Sequence, residues 1–176
     1  MRNQIETHFP IVVTNGCLQT VSEIAFGISE PEADRGGKCI IVAQEGADFE
    51  VNNPTEKEIV FWAIDDCTFS SKDGKRCDFA VCDDETFAFV EIKRSRYKNR
   101  SDAKNKAVEQ LSEILNLSIA KLDFKKHQLL AIMALSFAKN TPVASTRKQD
   151  TRLMFSKKYN AELLEGNSIS FPFGEK

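Results

Sequence analysis

The chain has 176 residues, 41% hydrophobic and 28% charged, with a formal net charge of −2. That length suits one domain with a substantial core and is short for two. No apolar run approaches the roughly 20 residues that span a bilayer, and no apolar stretch follows the first charges as in a signal peptide. The expectation is a cytoplasmic protein with no membrane partner.

The first elements are ambiguous. Ile11-Val12-Val13 reads as a short strand or an apolar helix turn. Leu18, Val21, Ile24 and Ala25 recur at helical intervals, which predicts a helix that Pro31 and Gly36-Gly37 end. Residues 38–43 read as a strand, 49–51 as a short one, and 58–65 as a clearer one, rich in β-branched and aromatic side chains. Residues 70–75 form a turn cluster. Two further strands follow, 77–82 and 86–93, joined by Asp83-Asp84-Glu85.

A long helix then starts with Ser101 as its cap. Ala107, Val108, Leu111, Ile114, Leu115 and Ser118 share one face of it at 3.6 residues per turn. Residues 127–137 are almost continuously apolar, as in a strand buried on both faces. Residues 140–142 break that strand. Residues 145–161 predict a second helix with Met154 and Phe155 inward, and residues 169–171 a small last strand. This order suits an α/β (α+β) fold, a central mixed β-sheet with helices on both sides. One domain spans 1–176, with its core at about 55–140 and residues 1–54 as an N-terminal extension.

Charge is unevenly spread. Residues 1–92 carry 18 acidic and 7 basic side chains, whereas residues 93–176 carry 8 acidic and 17 basic. Such asymmetry points to a polyanionic partner docking on the second half. The densest basic run is 93–106, with seven basic residues and only Asp102 opposing them. The five cysteines, Cys17, Cys39, Cys67, Cys77 and Cys82, have no two-residue spacing and read as buried, reduced thiols. The two histidines, His8 and His127, receive no role. Their scarcity argues against a histidine metal centre or a Ser-His-Asp triad. No Gly-rich phosphate loop is present.

The most informative stretch is residues 76–93. Asp78 opens one strand, and Glu91-Ile92-Lys93 ends the next. Strand side chains alternate faces, so Glu91 and Lys93 point the same way, roughly 7 Å apart. They share that face with Phe87 and Phe89, and charges ending an apolar face are costly to place there without a purpose. If the strands pair as a hairpin, Asp78 joins them. Two carboxylates beside an ammonium can hold a divalent metal and activate a water.

Asp78, then Glu91-x-Lys93 on the next strand, then a helix carrying Gln110-Leu111, resembles the PD-(D/E)xK nuclease superfamily with its restriction-endonuclease-like αβββαβ core. The resemblance covers about 60–140. Cys77 stands where the family name has Pro. No upstream acid is obvious, and Glu23, then Glu45, are the candidates.

The resemblance implies a nuclease that hydrolyses phosphodiester bonds, with DNA ahead of RNA as substrate and Mg²⁺ (or Mn²⁺) as cofactor. Asp78, Glu91 and the Ile92 carbonyl would hold the metal. Lys93 would orient the water or stabilise the transition state. Gln110 would contact the water, Lys93 or a phosphate. Arg94, Arg96, Lys98, Arg100 and Lys104 would grip the backbone, and Tyr97 would stack on a base. Many relatives act as homodimers. Two alternatives stay open: an inactive module of the same fold that binds nucleic acid or a protein, and an unrelated α/β interaction protein.

Overall fold

The computed structural model describes residues 1–31, 37–94, 99–135, 143–144 and 149–174. Two short helices come first, α1 (Arg2–His8) and α2 (Ile11–Thr14). The strands that follow are β1 (Leu18–Val21), β2 (Ala25–Ser29), β3 (Ile40–Val42), β4 (Phe49–Asn52) and β5 (Ile59–Ala63). Next are β6 (Phe79–Cys82), β7 (Thr86–Lys93), α3 (Arg100–Ile119) and β8 (Gln128–Leu135). The chain ends with β9 (Val143–Ala144), α4 (Gln149–Tyr159), β10 (Ala161–Glu165) and β11 (Ser168–Ser170).

Seven strands make a central mixed sheet in the order β1-β5-β6-β7-β8-β10-β9. β1, β5, β6 and β7 pair antiparallel, while β7, β8 and β10 run parallel. Each parallel step needs a crossover, and α3 and α4 supply them. Both steps go the same way across the sheet, so right-handed crossovers put both helices on one face.

Ring contacts identify the two faces. Phe9, just after α1, packs on Trp62 at 5.3 Å, and Phe124, after α3, packs on Phe87 at 5.1 Å. Trp62 in turn meets Phe89, so these rings share the helical face. Phe79 points the other way and meets Phe49 edge-on at 5.5 Å. A second, four-stranded sheet, β11-β4-β2-β3, covers that other face, where helices were expected.

Several sequence expectations are corrected here. The helical spacing from Leu18 to Ala25 is coincidental. β1 buries only its two ends, Leu18 and Val21, and pairs in register with Ile59 to Trp62. Residues 1–54 are therefore no appendage, because they supply one edge of the main sheet and three strands of the second. Ile11–Thr14 takes the helix-turn alternative. The helix α3 begins at Arg100 after Asn99, with no side-chain cap, and Ser101 lies inside it. The predicted helix over 145–161 ends at Tyr159, the unexpected β10 starts at Ala161, and residues 145–148 fall outside the described residues. The break at 140–142 falls outside the described residues.

Cysteines divide into two groups. Cys39, Cys77 and Cys82 are free and buried, as expected, but Cys17 and Cys67 form a disulfide across 50 residues. The start of β1 and the turn after β5 bring them together: Ala63 N–H donates to the Cys17 carbonyl, and the Asn15 amide donates to the Cys67 carbonyl. Sequence spacing carries no trace of such a pair.

Gly27 in β2 has a specific steric reason. A Cβ there would lie 2.3 Å from that of Ala47 and 2.6 Å from the Ala43 carbonyl. The connection from β3 to β4 crosses at that point. It sets Asp48 to accept the Glu30 N–H at 3.1 Å.

Candidate functional site

The β6–β7 hairpin forms as the sequence predicts. Phe79 pairs with Val90, so one further step sets Asp78 opposite Glu91. Directly opposed residues project on one face. The ladder ends there because the chain before Asp78 turns away, and the side chain replaces it: the Asp78 carboxylate accepts the Ile92 N–H at 2.5 Å. A strand residue's carbonyl faces the same edge as its N–H, so the Ile92 carbonyl turns toward Asp78 as well.

Glu91 is fully buried, and its Oε1 accepts a hydrogen bond from Lys93 Nζ. Its Oε2 is buried and makes no hydrogen bond among the described residues. Asp78 is 7% exposed. Phe87, Phe89 and Phe124 floor the same face, with centroid separations of 4.8 and 5.1 Å. The three motif side chains therefore meet, as the sequence predicted.

Electrostatics follow from this burial. Loss of water pushes the Asp78 carboxyl up to about 7, against the Ile92 N–H and Lys93, which pull it down. Burial, then the facing Asp78, pushes Glu91 well above the usual carboxylate range, and Lys93 only partly compensates. Burial disfavours the Lys93 charge, but Glu91, Asp78 and Glu30 outweigh it and hold its pKa up. The neighbouring thiols Cys39 and Cys77 are pushed up by burial and by the same carboxylates, so they stay protonated.

Two more acids belong to this field, and neither was expected. Asp65 N–H donates to the Asp78 carbonyl at 3.2 Å. Its own carboxyl is raised first by burial, then by Asp66. Glu30, at the end of β2, is raised by burial and in turn pushes Asp78 up. Glu23 and Glu45, the expected upstream acids, are exposed and are not among the groups acting on Asp78 or Glu91. The available signal was only an acid at the end of each strand, Asp65 after β5 and Glu30 before Pro31.

The remaining predicted residues lie elsewhere. Gln110 donates to the Arg76 carbonyl at 2.8 Å, bracing the segment that leads into Asp78. Among the described residues it makes no bond to Lys93, one of the three contacts expected of it. Arg94 binds Asp48 at 2.5 and 2.9 Å and the Glu30 and Pro31 carbonyls, tying β7 to the second sheet. Arg100 and Lys104 both bind Glu165, and Lys104 is buried. These three cations, expected to grip a phosphate backbone, are thus neutralised within the protein. Arg96, Tyr97 and Lys98 lie outside the described residues.

Among the described residues, no three His, Cys, Asp or Glu side chains gather closely enough to cage a metal. The donors that do meet are two carboxylates and a backbone carbonyl. Mg²⁺ is typically bound that way, through one or two carboxylates with water filling its other positions. The orphaned Glu91 Oε2 and the elevated Asp78 fit such an ion. A divalent cation would answer charge that one lysine does not.

The chain matches no family model, no curated protein and no solved structure. Among the described residues no helix is long and apolar enough to cross a membrane.

Proposed function

We propose that this chain is a metal-dependent nuclease of the PD-(D/E)xK kind, with a restriction-endonuclease-like core, hydrolysing phosphodiester bonds of DNA ahead of RNA. The observation that carries this reading is the buried pairing of Asp78 with Glu91 beside Lys93. Two carboxylates shut away from water with one ammonium are a costly arrangement for a purely structural cluster.

Asp78, Glu91 and the Ile92 carbonyl would hold Mg²⁺ or Mn²⁺. That ion would supply Lewis-acid stabilisation of the phosphate and a bound water of lowered pKa. The chain's own residues prepare the place. Burial of Glu91 strengthens every charge interaction around it. Lys93, fixed by Glu91 Oε1, presents its ammonium where negative charge would grow. Ile92 N–H fixes one Asp78 oxygen and leaves the other for a ligand. Gln110 and Asp65 brace the backbone on either side of Asp78.

Purified protein is to be incubated with linear, circular and single-stranded DNA, with Mg²⁺, with Mn²⁺ or with EDTA. Metal-dependent cleavage that Asp78→Asn and Lys93→Ala both abolish is the expected result. Cleavage that survives either substitution would place the chemistry elsewhere. A second reading, an inactive module of the same fold, is favoured by the internal neutralisation of Arg94, Arg100 and Lys104. It predicts salt-sensitive, metal-independent binding without turnover.

A further inference from the structure

Arg76 is not in the Asp-Glu-x-Lys pattern, yet the fold sets it beside Asp65, whose N–H holds the Asp78 carbonyl. It lies two residues before Asp78, and its carbonyl is pinned by Gln110. The turn after β5 runs alongside: Ile64 and Asp65 N–H both donate to the Asp78 carbonyl, at 3.0 and 3.2 Å. From that turn Phe69 supplies a platform, with the Arg76 guanidinium 5.1 Å from its ring centroid. Phe69 is itself held edge-on by Phe9 at 5.7 Å.

The guanidinium acts on Asp65 and Asp73 but bonds to neither among the described residues. Nη1 donates only to the adjacent Lys75 carbonyl, at 2.6 Å. Nε is buried with no partner. Two cations are felt by Asp65, namely Lys93 and Arg76. Lys93 is bonded to Glu91, whereas Arg76 makes no ion pair among the described residues. A planar cation stacked on a ring, with donors left over, matches the fork geometry that phosphate oxygens accept. Arg94, Arg100 and Lys104 are already spent on Asp48 and Glu165.

We propose that Arg76 is a phosphate-contacting residue of this site, its guanidinium laid on Phe69 beside Asp65 to receive a non-bridging oxygen of a nucleic-acid phosphate. This rests on the nuclease reading and adds the residue that seats the strand next to the carboxylates. The stacking removes rotational freedom before binding, so less entropy is lost when the contact forms. A lysine in its place keeps the charge but loses the fork.

The test is binding of a fluorescein-labelled duplex oligonucleotide, without divalent cation, over a range of NaCl concentrations, followed by steady-state cleavage with Mg²⁺. Wild type, Arg76→Gln and Arg76→Lys are compared. For Arg76→Gln we expect about a tenfold weaker Kd, the loss of one charge-assisted contact. The plot of log Kd against log[NaCl] should flatten by about 0.9. KM should rise with kcat nearly unchanged, and Arg76→Lys should restore the salt slope but only part of the affinity. An unchanged salt slope in Arg76→Gln, whatever its melting temperature, overturns the assignment. A changed slope without any cleavage by wild type removes the nuclease reading and leaves the phosphate contact standing. Wild type that does not bind the oligonucleotide removes both.

Discussion

Three buried acids in or beside strands of the central sheet, Asp83, Glu91 and Glu165, differ in what surrounds their charge. Asp83 lies at the far end of β6 from Asp78. Its Oδ1 accepts the Glu85 and Thr86 N–H groups at 2.9 and 2.7 Å, and Lys57 stands 3.8 Å from its other oxygen. Glu165, at the end of β10, is answered by two cations, Arg100 and Lys104. Asp83 shapes a turn, and Glu165 docks the start of α3 onto the sheet. Each of the three acids keeps one buried oxygen that makes no hydrogen bond among the described residues, and what sets Glu91 apart is a second carboxylate facing it with one lysine between them. Burial alone does not mark function. The facing pair of carboxylates is the difference, and it is the feature the proposed metal site would use.

The comparison can be broken most sharply by activity. Asp78→Asn, Glu91→Gln and Lys93→Ala should each lower DNA cleavage by about 10²–10³-fold or more, as loss of a preorganised charge does. Glu165→Gln should leave kcat within a few-fold, measured on the same substrate.

Stability should separate the acids by sign. Glu165→Gln removes the carboxylate that Arg100 and the buried Lys104 share and should cost about 3 kcal/mol in urea unfolding. Glu91→Gln removes an under-compensated charge and should stabilise the metal-free protein by about 1 kcal/mol. Equal destabilisation by both substitutions would dissolve the distinction.

The disulfide offers a test that alters no charge. Reduction, or Cys17→Ser, frees a loop of 50 residues and should cost about 2–4 kcal/mol. Calorimetry with and without reductant reads it. The turn that carries Asp65 should loosen, seen as faster amide exchange at Asp65.

pH gives the most local effect. Asp78 titrates near 7 when folded, above its ordinary value of 3.8. The unfolded chain thus releases this proton first, and the group's contribution to stability falls as pH rises from about 4 through about 7. Above that window the loss is complete, and below it absent. Denaturation of metal-free wild type and Asp78→Asn across pH 4–8 should show curves that diverge through that window.

Local patterns were legible in the sequence, and long-range ones were not. Alternation from Thr86 to Lys93 announced that Phe87, Phe89, Glu91 and Lys93 share a face, and the register with β6 added Asp78. The 3.6-residue period of α3 announced its buried stripe. β1 was misread because Leu18 and Val21, three apart, suit either a helix face or a strand buried only at its ends. Tertiary pairing with β5 decided between them. Glu30, Asp65 and the Cys17–Cys67 bond depend on segments that meet only once both sheets have formed. No local spacing encodes those meetings. The partners of Arg94 and Arg100 were not legible for the same reason, because Asp48 and Glu165 lie more than forty residues away in sequence.

The most direct test is a crystal grown or soaked with Mn²⁺ and measured at the manganese absorption edge. An anomalous peak between the Asp78 and Glu91 carboxylates, within coordination distance of the Ile92 carbonyl, is the predicted result. Peaks only elsewhere, with Glu91 still bonded to Lys93 alone, would contradict the account.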